Sequence, residues 1–101
     1  MGEMQQYGVE IELDAQVAEG VYSNLVLITH STSEFIVDFA NVMPGMPKAR
    51  IKSRVVLTPE HAKRLLRILQ DNIVHYESTI GKIDIPTPMP NHNTGPKMGE
   101  A

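Results

Sequence analysis

The stretch from Thr58 to Gly81 constrains this chain more than any other. Thr58 suits an N-cap, because its hydroxyl can accept a backbone N–H of the first turn. Pro59 at the first helical position gives up only an N–H that would be orphaned anyway. Ala62, Leu65, Leu66, Leu69, Ile73, Tyr76 and Ile80 follow at steps of three and four and form one apolar stripe. Gly81 is the expected left-handed stop. The spacing therefore predicts one helix about 33 Å long.

The rest of the chain is strand-like. Val9, Ile11 and Leu13 alternate with Glu10, Glu12 and Asp14, a period of two with one dry and one acidic face. Val21 to His30 is apolar on both faces, the mark of a strand covered on both sides. Ser31-Thr32-Ser33 is a turn by composition. Glu34 to Ala40 forms a third strand and Ala49 to Leu57 a fourth. Pro44, Gly45 and Pro47 place a loop between them. Met43 and Met46 in that loop either cap the open end of the core or form a soft contact patch. Tyr22 and Asn24 are polar positions on an otherwise apolar strand, and both need partners there: a structural hydrogen bond, for example to the loop around Pro44, or a ligand contact.

Short turns between the strands predict an α+β fold: a four-stranded antiparallel meander followed by one long amphipathic helix. The expected boundaries are a flexible N-terminus over 1–7, a single domain over 8–85 and a flexible proline-rich tail over 86–101, where Pro86, Pro88 and Pro90 forbid regular structure. One helix can cover only one sheet face, and its half from Ile73 to Ile80 outreaches a sheet this small. Both shortfalls predict a homodimer or larger assembly, with Leu69, Ile73, Tyr76 and Ile80 as the oligomer contact.

Composition narrows the function classes. With 101 residues the chain is one domain. A net charge of −3 gives no overall pull toward nucleic acid or anionic membrane. There is no cysteine, hence no disulfide framework and no thiolate metal site. No apolar run is long enough to span a membrane, and Met1 to Tyr7 carry neither a basic segment nor an apolar core of a signal peptide, so a cytoplasmic location is expected.

Motifs for chemistry are absent. No Gly-rich phosphate loop or nucleophile elbow occurs. His30, His61, His75 and His92 have no metal-ligand spacing, and His61 and His75 lie roughly 21 Å apart along the helix. Glu34 and Asp38 are about 13 Å apart on one strand, too far for a paired-carboxylate site. These absences predict a non-enzymatic protein without a cofactor. One local asymmetry stands out: seven of the nine basic residues lie between Lys48 and Arg67. Arg50, Lys52, Arg54, Lys63, Arg64 and Arg67 either balance acidic partners or contact an anion or nucleic acid. The balancing partners would be Glu10, Glu12 and Asp14 for the strand, and the pairs Glu60–Arg64 and Arg67–Asp71 on the helix.

Three runs taken together carry a resemblance: Gly20-Val21-Tyr22-Ser23-Asn24-Leu25, Glu34-Phe35-Ile36-Val37-Asp38-Phe39, and Ser53 through Leu66, above all its S-R-x-x-L-T-P-x-H-A-K-R segment. They resemble an uncharacterised family of small bacterial and archaeal proteins, a DUF3467-like domain of unknown function, over about residues 8 to 84. The resemblance supplies no catalytic residues. In element order alone the chain is also similar to the bacterial export chaperone SecB, which implies an oligomer holding unfolded protein clients. The basic strand and T-P-E helix start resemble the first half of a ribbon-helix-helix DNA binder, but that fold needs a second helix, which the proline tail forbids. The expected partners are thus further copies of the chain and a protein client, with nucleic acid as the alternative.

Overall fold

A computed structural model describes residues 3–6, as backbone, and residues 8–86. The tail expected over 86–101 lies outside the described residues from 87 onward. The elements are β1 (Glu3–Gln6), β2 (Val9–Glu12), α1 (Ala15–Ala18), β3 (Leu25–His30), β4 (Phe35–Asn41), β5 (Arg50–Leu57) and α2 (Pro59–Thr79). The fold is α+β, an antiparallel meander followed by a long helix, as the patterning predicts. The sheet order differs from the expected four strands in a row. β3, β4 and β5 form a three-stranded antiparallel sheet, while β2 pairs with β1 in a separate hairpin. Glu3 to Gln6, read as a frayed end, is thus the partner of the Val9 strand. Gly8, at φ 76°, supplies the left-handed residue that a tight hairpin needs. Glu10, Glu12 and Asp14 therefore do not lie beside the basic strand.

The second strand is shorter than its apolar run. It begins at Leu25, not Val21, because Ser23 and Asn24 commit their side chains to main-chain groups across the loop. Ser23 Oγ donates to the Ala40 carbonyl at 3.0 Å. Asn24 clips Val42 at both ends: its Nδ2 donates to the Val42 carbonyl at 3.0 Å and its Oδ1 accepts the Val42 N–H at 2.8 Å. Of the two polar positions, Asn24 thus takes the structural hydrogen bond to the loop that leads to Pro44, while Tyr22 is exposed. A single turn of helix, α1, precedes it and is invisible to periodicity arguments at four residues.

Turn chemistry sets the meander. Ser31 Oγ accepts the N–H groups of Ser33 and Glu34, and the Ser31 N–H donates to the Glu34 carbonyl at 2.9 Å, closing β3 onto β4. Between β4 and β5, the Met46 N–H donates to the Met43 carbonyl at 3.1 Å around Pro44 and Gly45, the latter at φ 83°. Proline then glycine at the two central positions is the pattern of a type II turn. Met43 and Met46 are 51% and 55% exposed, so they do not cap the core as expected. Along β4 and β5 the partners run from Phe35↔Leu57 to Phe39↔Ser53, then shift to Ala40↔Ile51, which leaves Lys52 as the extra residue of a bulge.

Burial concentrates on the central strand, which has a neighbour on each side. Val37 and Ala40 are the only buried apolar residues among those described, joined by Asp38. The helix begins as predicted, with Thr58 Oγ1 accepting the His61 N–H at 3.2 Å and Pro59 at its start. Its end differs. The cap is Ile80 in right-handed conformation, and Gly81 does not take the left-handed region. Instead the hydroxyls of Ser78 and Thr79 both donate to the His75 carbonyl, and the N–H groups of Ile80 and Gly81 both reach the Tyr76 carbonyl. Hydroxyl competition and a β-branched pair end the helix before a glycine turn is needed.

The helix does not lie across the sheet as the sequence leads one to expect. α2 touches the sheet sparsely, at β5, the strand it directly follows. Only Ala62 of its stripe is even half-buried, and every later residue of the helix is exposed.

Candidate functional site

The basic segment is split by the fold. Arg54 lies directly opposite Asp38 in the sheet register and grips it with two hydrogen bonds, Nε to Oδ1 at 2.7 Å and Nη2 to Oδ2 at 2.9 Å. A planar guanidinium meeting a carboxylate at both oxygens is a geometry lysine cannot supply. The bond from Arg54, opposed in part by desolvation and aided by its charge, holds the Asp38 carboxyl below its ordinary range. The same pair raises Arg54 further above its usual value. Arg54 is therefore balanced, but by Asp38 rather than by the acidic residues of the first strand.

Arg64 is balanced as predicted. Its Nε and Nη2 both reach Glu60 Oε2, at 3.0 and 2.7 Å, one helical turn apart. That bond, then the Arg64 charge and the nearby His61, lower the Glu60 pKa. These are the ion pairs among the described residues; the expected Arg67–Asp71 pair is not formed. Arg50 and Lys52 on β5, and Lys63 and Arg67 on α2, thus lack a carboxylate partner among the described residues. Lys63, Arg64 and Arg67 line a shallow hollow of about 210 Å³ with Glu60.

Two further features are an open hollow and a stacked ring pair. An open, mostly apolar hollow of about 450 Å³ follows the loop from Met46 to Ile51. His30 stacks on Phe35 across the β3–β4 pair, ring centres 5.2 Å apart. No group of three metal-ligating side chains occurs among the described residues. Asp38, the buried carboxylate, already spends both oxygens on Arg54, so it is a structural anchor.

The strongest feature is apolar. Leu69, Ile73, Tyr76 and Ile80, the predicted contact stripe, are all exposed, and Leu65, Leu66, Ile68 and Val74 extend it on both flanks. On the sheet, Val26, Leu27 and Ile28 of β3 and Ile51, Val55 and Val56 of β5 are exposed as well. Consecutive residues of a strand point to opposite faces, so both faces of the sheet carry uncovered apolar side chains. Periodicity finds the helix stripe from sequence alone. It does not find the extent of exposure on the strands, because an apolar run reads as buried wherever its cover comes from.

No helix among the described residues is long and apolar enough to cross a membrane. No curated protein and no solved structure matches the chain, so the similarity of element order to SecB gains no support from a shared fold. Residues 2–85, a span that includes the three runs quoted from the sequence, match the family described as protein of unknown function (DUF3467), and the chain belongs to that family.

Proposed function

We propose that this protein is a non-enzymatic, homo-oligomeric interaction module that holds extended or unfolded protein segments on apolar surface, in a chaperone-like manner. One observation supports this above the others: both faces of the β3–β4–β5 sheet and the length of α2 carry exposed apolar side chains, while Val37 and Ala40 alone are buried among them. Apolar surface exposed on this scale marks an interaction site rather than an ordinary monomer surface. Assembly would cover part of it, and what stays open would be the client surface.

The test is binding of a fluorescently labelled, permanently unfolded polypeptide, followed by anisotropy, with sedimentation velocity on the same sample. A saturable complex with the unfolded chain, absent with a folded control, together with a mass above one protomer, supports the proposal. A strictly single-protomer species that ignores the unfolded chain overturns it.

A second reading, phosphate or nucleic-acid contact, draws on Lys63 and Arg67 beside Arg64, with Arg50 and Lys52 on β5, none of the four paired with a carboxylate among the described residues. Titrating single- and double-stranded oligonucleotides against salt decides it, since each phosphate contact adds roughly one to the slope of log affinity against log salt. Absence of binding at low salt ends it.

A further inference from the structure

The sheet has two outer edges, and they are not alike. Phase comes from the turn: the Ser31 N–H donates to the Glu34 carbonyl, in register with the pairs Thr29↔Ile36 and Leu27↔Asp38. Antiparallel ladders alternate between residues that exchange hydrogen bonds and residues that do not. Leu27 and Thr29 therefore bond inward to β4, and the main-chain N–H and C=O groups of Val26, Ile28 and His30 point out of the sheet. Nothing pairs with that edge among the described residues, since β1 and β2 form their own sheet. An unpaired strand edge is a template for another strand, and proteins that need to stay apart blunt it with charge, proline or a bulge. β3, Leu-Val-Leu-Ile-Thr-His, has none of these. β5, at the other edge, has two: the charges of Arg50, Lys52 and Arg54, and the bulge at Lys52.

We infer that β3 is the assembly edge, and that its occupant is the β3 strand of a second copy, antiparallel about a two-fold axis at Ile28. This deepens the oligomeric reading above and rests on it. The register follows from hydrogen-bond economy. Outward-facing residues must meet outward-facing residues, so Ile28 faces the partner's Ile28 and Val26 faces the partner's His30. All three outward residues of each strand are then used, which no other two-fold register within Leu25–His30 achieves. Each residue is uncharged or a histidine, so no like-charged pair arises. The same operation on β5 would bring two sets of Arg50, Lys52 and Arg54 together, and a β3-to-β5 contact would leave an open chain of subunits instead of a closed pair. The product is a continuous six-stranded sheet on which Val26, Ile28 and Val37 of one face join those of the partner. The strand edges by themselves fall short of the roughly 1,200 Å² of a stable interface. The exposed apolar side chains beside the seam, on both faces of the joined sheet, are placed to add the remainder.

Charge at position 28 tests the register. Ile28→Lys and Ile28→Glu each set two like charges against each other at the axis, and mixing the two variants sets Lys against Glu. By sedimentation velocity, the wild-type chain is expected to be dimeric or a multiple of it, each variant alone to dissociate at least about tenfold more readily, and the equimolar mixture to recover the assembly. A second readout needs no variant: in the assembled wild type, the amides of Val26 and Ile28 should exchange with solvent at least about tenfold more slowly than on dilution to protomers. Variants that stay assembled, or a mixture that fails to recover, overturn the β3 seam while leaving oligomerisation intact. Wild-type protein found only as single protomers overturns both.

Discussion

Arg54 and Asp38 stand opposite each other on neighbouring strands, joined by two hydrogen bonds of 2.7 and 2.9 Å, and Asp38 is among the few buried residues of the described chain. The pair ties the central strand to β5 just beside the bulge at Lys52. Because the bond from Arg54 depresses the Asp38 pKa below 3.8, the charged form is favoured by folding. The sign follows. The stabilisation is complete above the unfolded value and is lost as pH falls through the lower, folded value. Asp38→Asn should therefore melt at a lower temperature than the wild type at pH 7, and the gap should close as the pH drops below 3.8. Thermal melts by circular dichroism across that range check it; a gap independent of pH would show that charge at Asp38 contributes nothing.

The helix start offers a local test. Thr58 Oγ1 accepts the His61 N–H, one of the orphan donors of the first turn. Thr58→Ala should cost about 1 kcal/mol in chemical denaturation, and Thr58→Ser should restore most of it. If alanine is neutral, the cap is not holding the β5–α2 junction.

Those two features mark where sequence was a sufficient guide and where it was not. The helix start was legible because capping, Pro59 and the apolar spacing are all written within one segment. The Glu60–Arg64 pair was legible for the same reason. Asp38–Arg54 was not, because its partners are sixteen residues apart and meet only through a strand register that the Lys52 bulge shifts part-way along. The partner of the Val9 strand is hidden in Glu3–Gln6, where Met4 is the one apolar residue and no alternation shows. Val21 and Tyr22 looked like strand because β-branched and aromatic residues usually are, whereas the hydrogen bonds of Ser23 and Asn24 hold that segment as a loop. The helix end is not legible, because the hydroxyls of Ser78 and Thr79 take the His75 carbonyl and Gly81 stays out of the left-handed region. The candidate surface is half legible: the helix stripe and a shortfall of cover follow from the sequence, but not that the helix leaves apolar residues of both sheet faces exposed.

Asn24 carries a non-local contact of a different kind. Its amide satisfies both main-chain groups of Val42, fixing the loop before β3 against the exit of β4. Asn24→Ala should cost about 1 kcal/mol, since two solvent-accessible hydrogen bonds are lost. Asn24→Asp keeps an acceptor for the Val42 N–H but has no donor for its carbonyl, so it should fall between wild type and alanine at neutral pH. Equal stability of all three proteins in urea would mean that water replaces the clip without penalty.

The helix stripe provides the remaining prediction, and it separates assembly from folding. Leu69, Ile73, Tyr76 and Ile80 are exposed in the protomer, so a charge placed there meets water while the chain is alone. It meets an apolar partner only if the stripe is an interface, where an unpaired charge is costly to bury. Leu69→Glu and Ile73→Glu should therefore leave the far-ultraviolet circular dichroism unchanged but shift sedimentation toward smaller species, with at least about a tenfold loss of association. Ser78→Glu is the matched control. It adds the same charge to the same helix about 180° around from Leu69, at 100° per residue, and should leave association unchanged. If both stripe variants assemble like the wild type, the helix is not part of the subunit contact, and the apolar seam must be sought on the sheet alone.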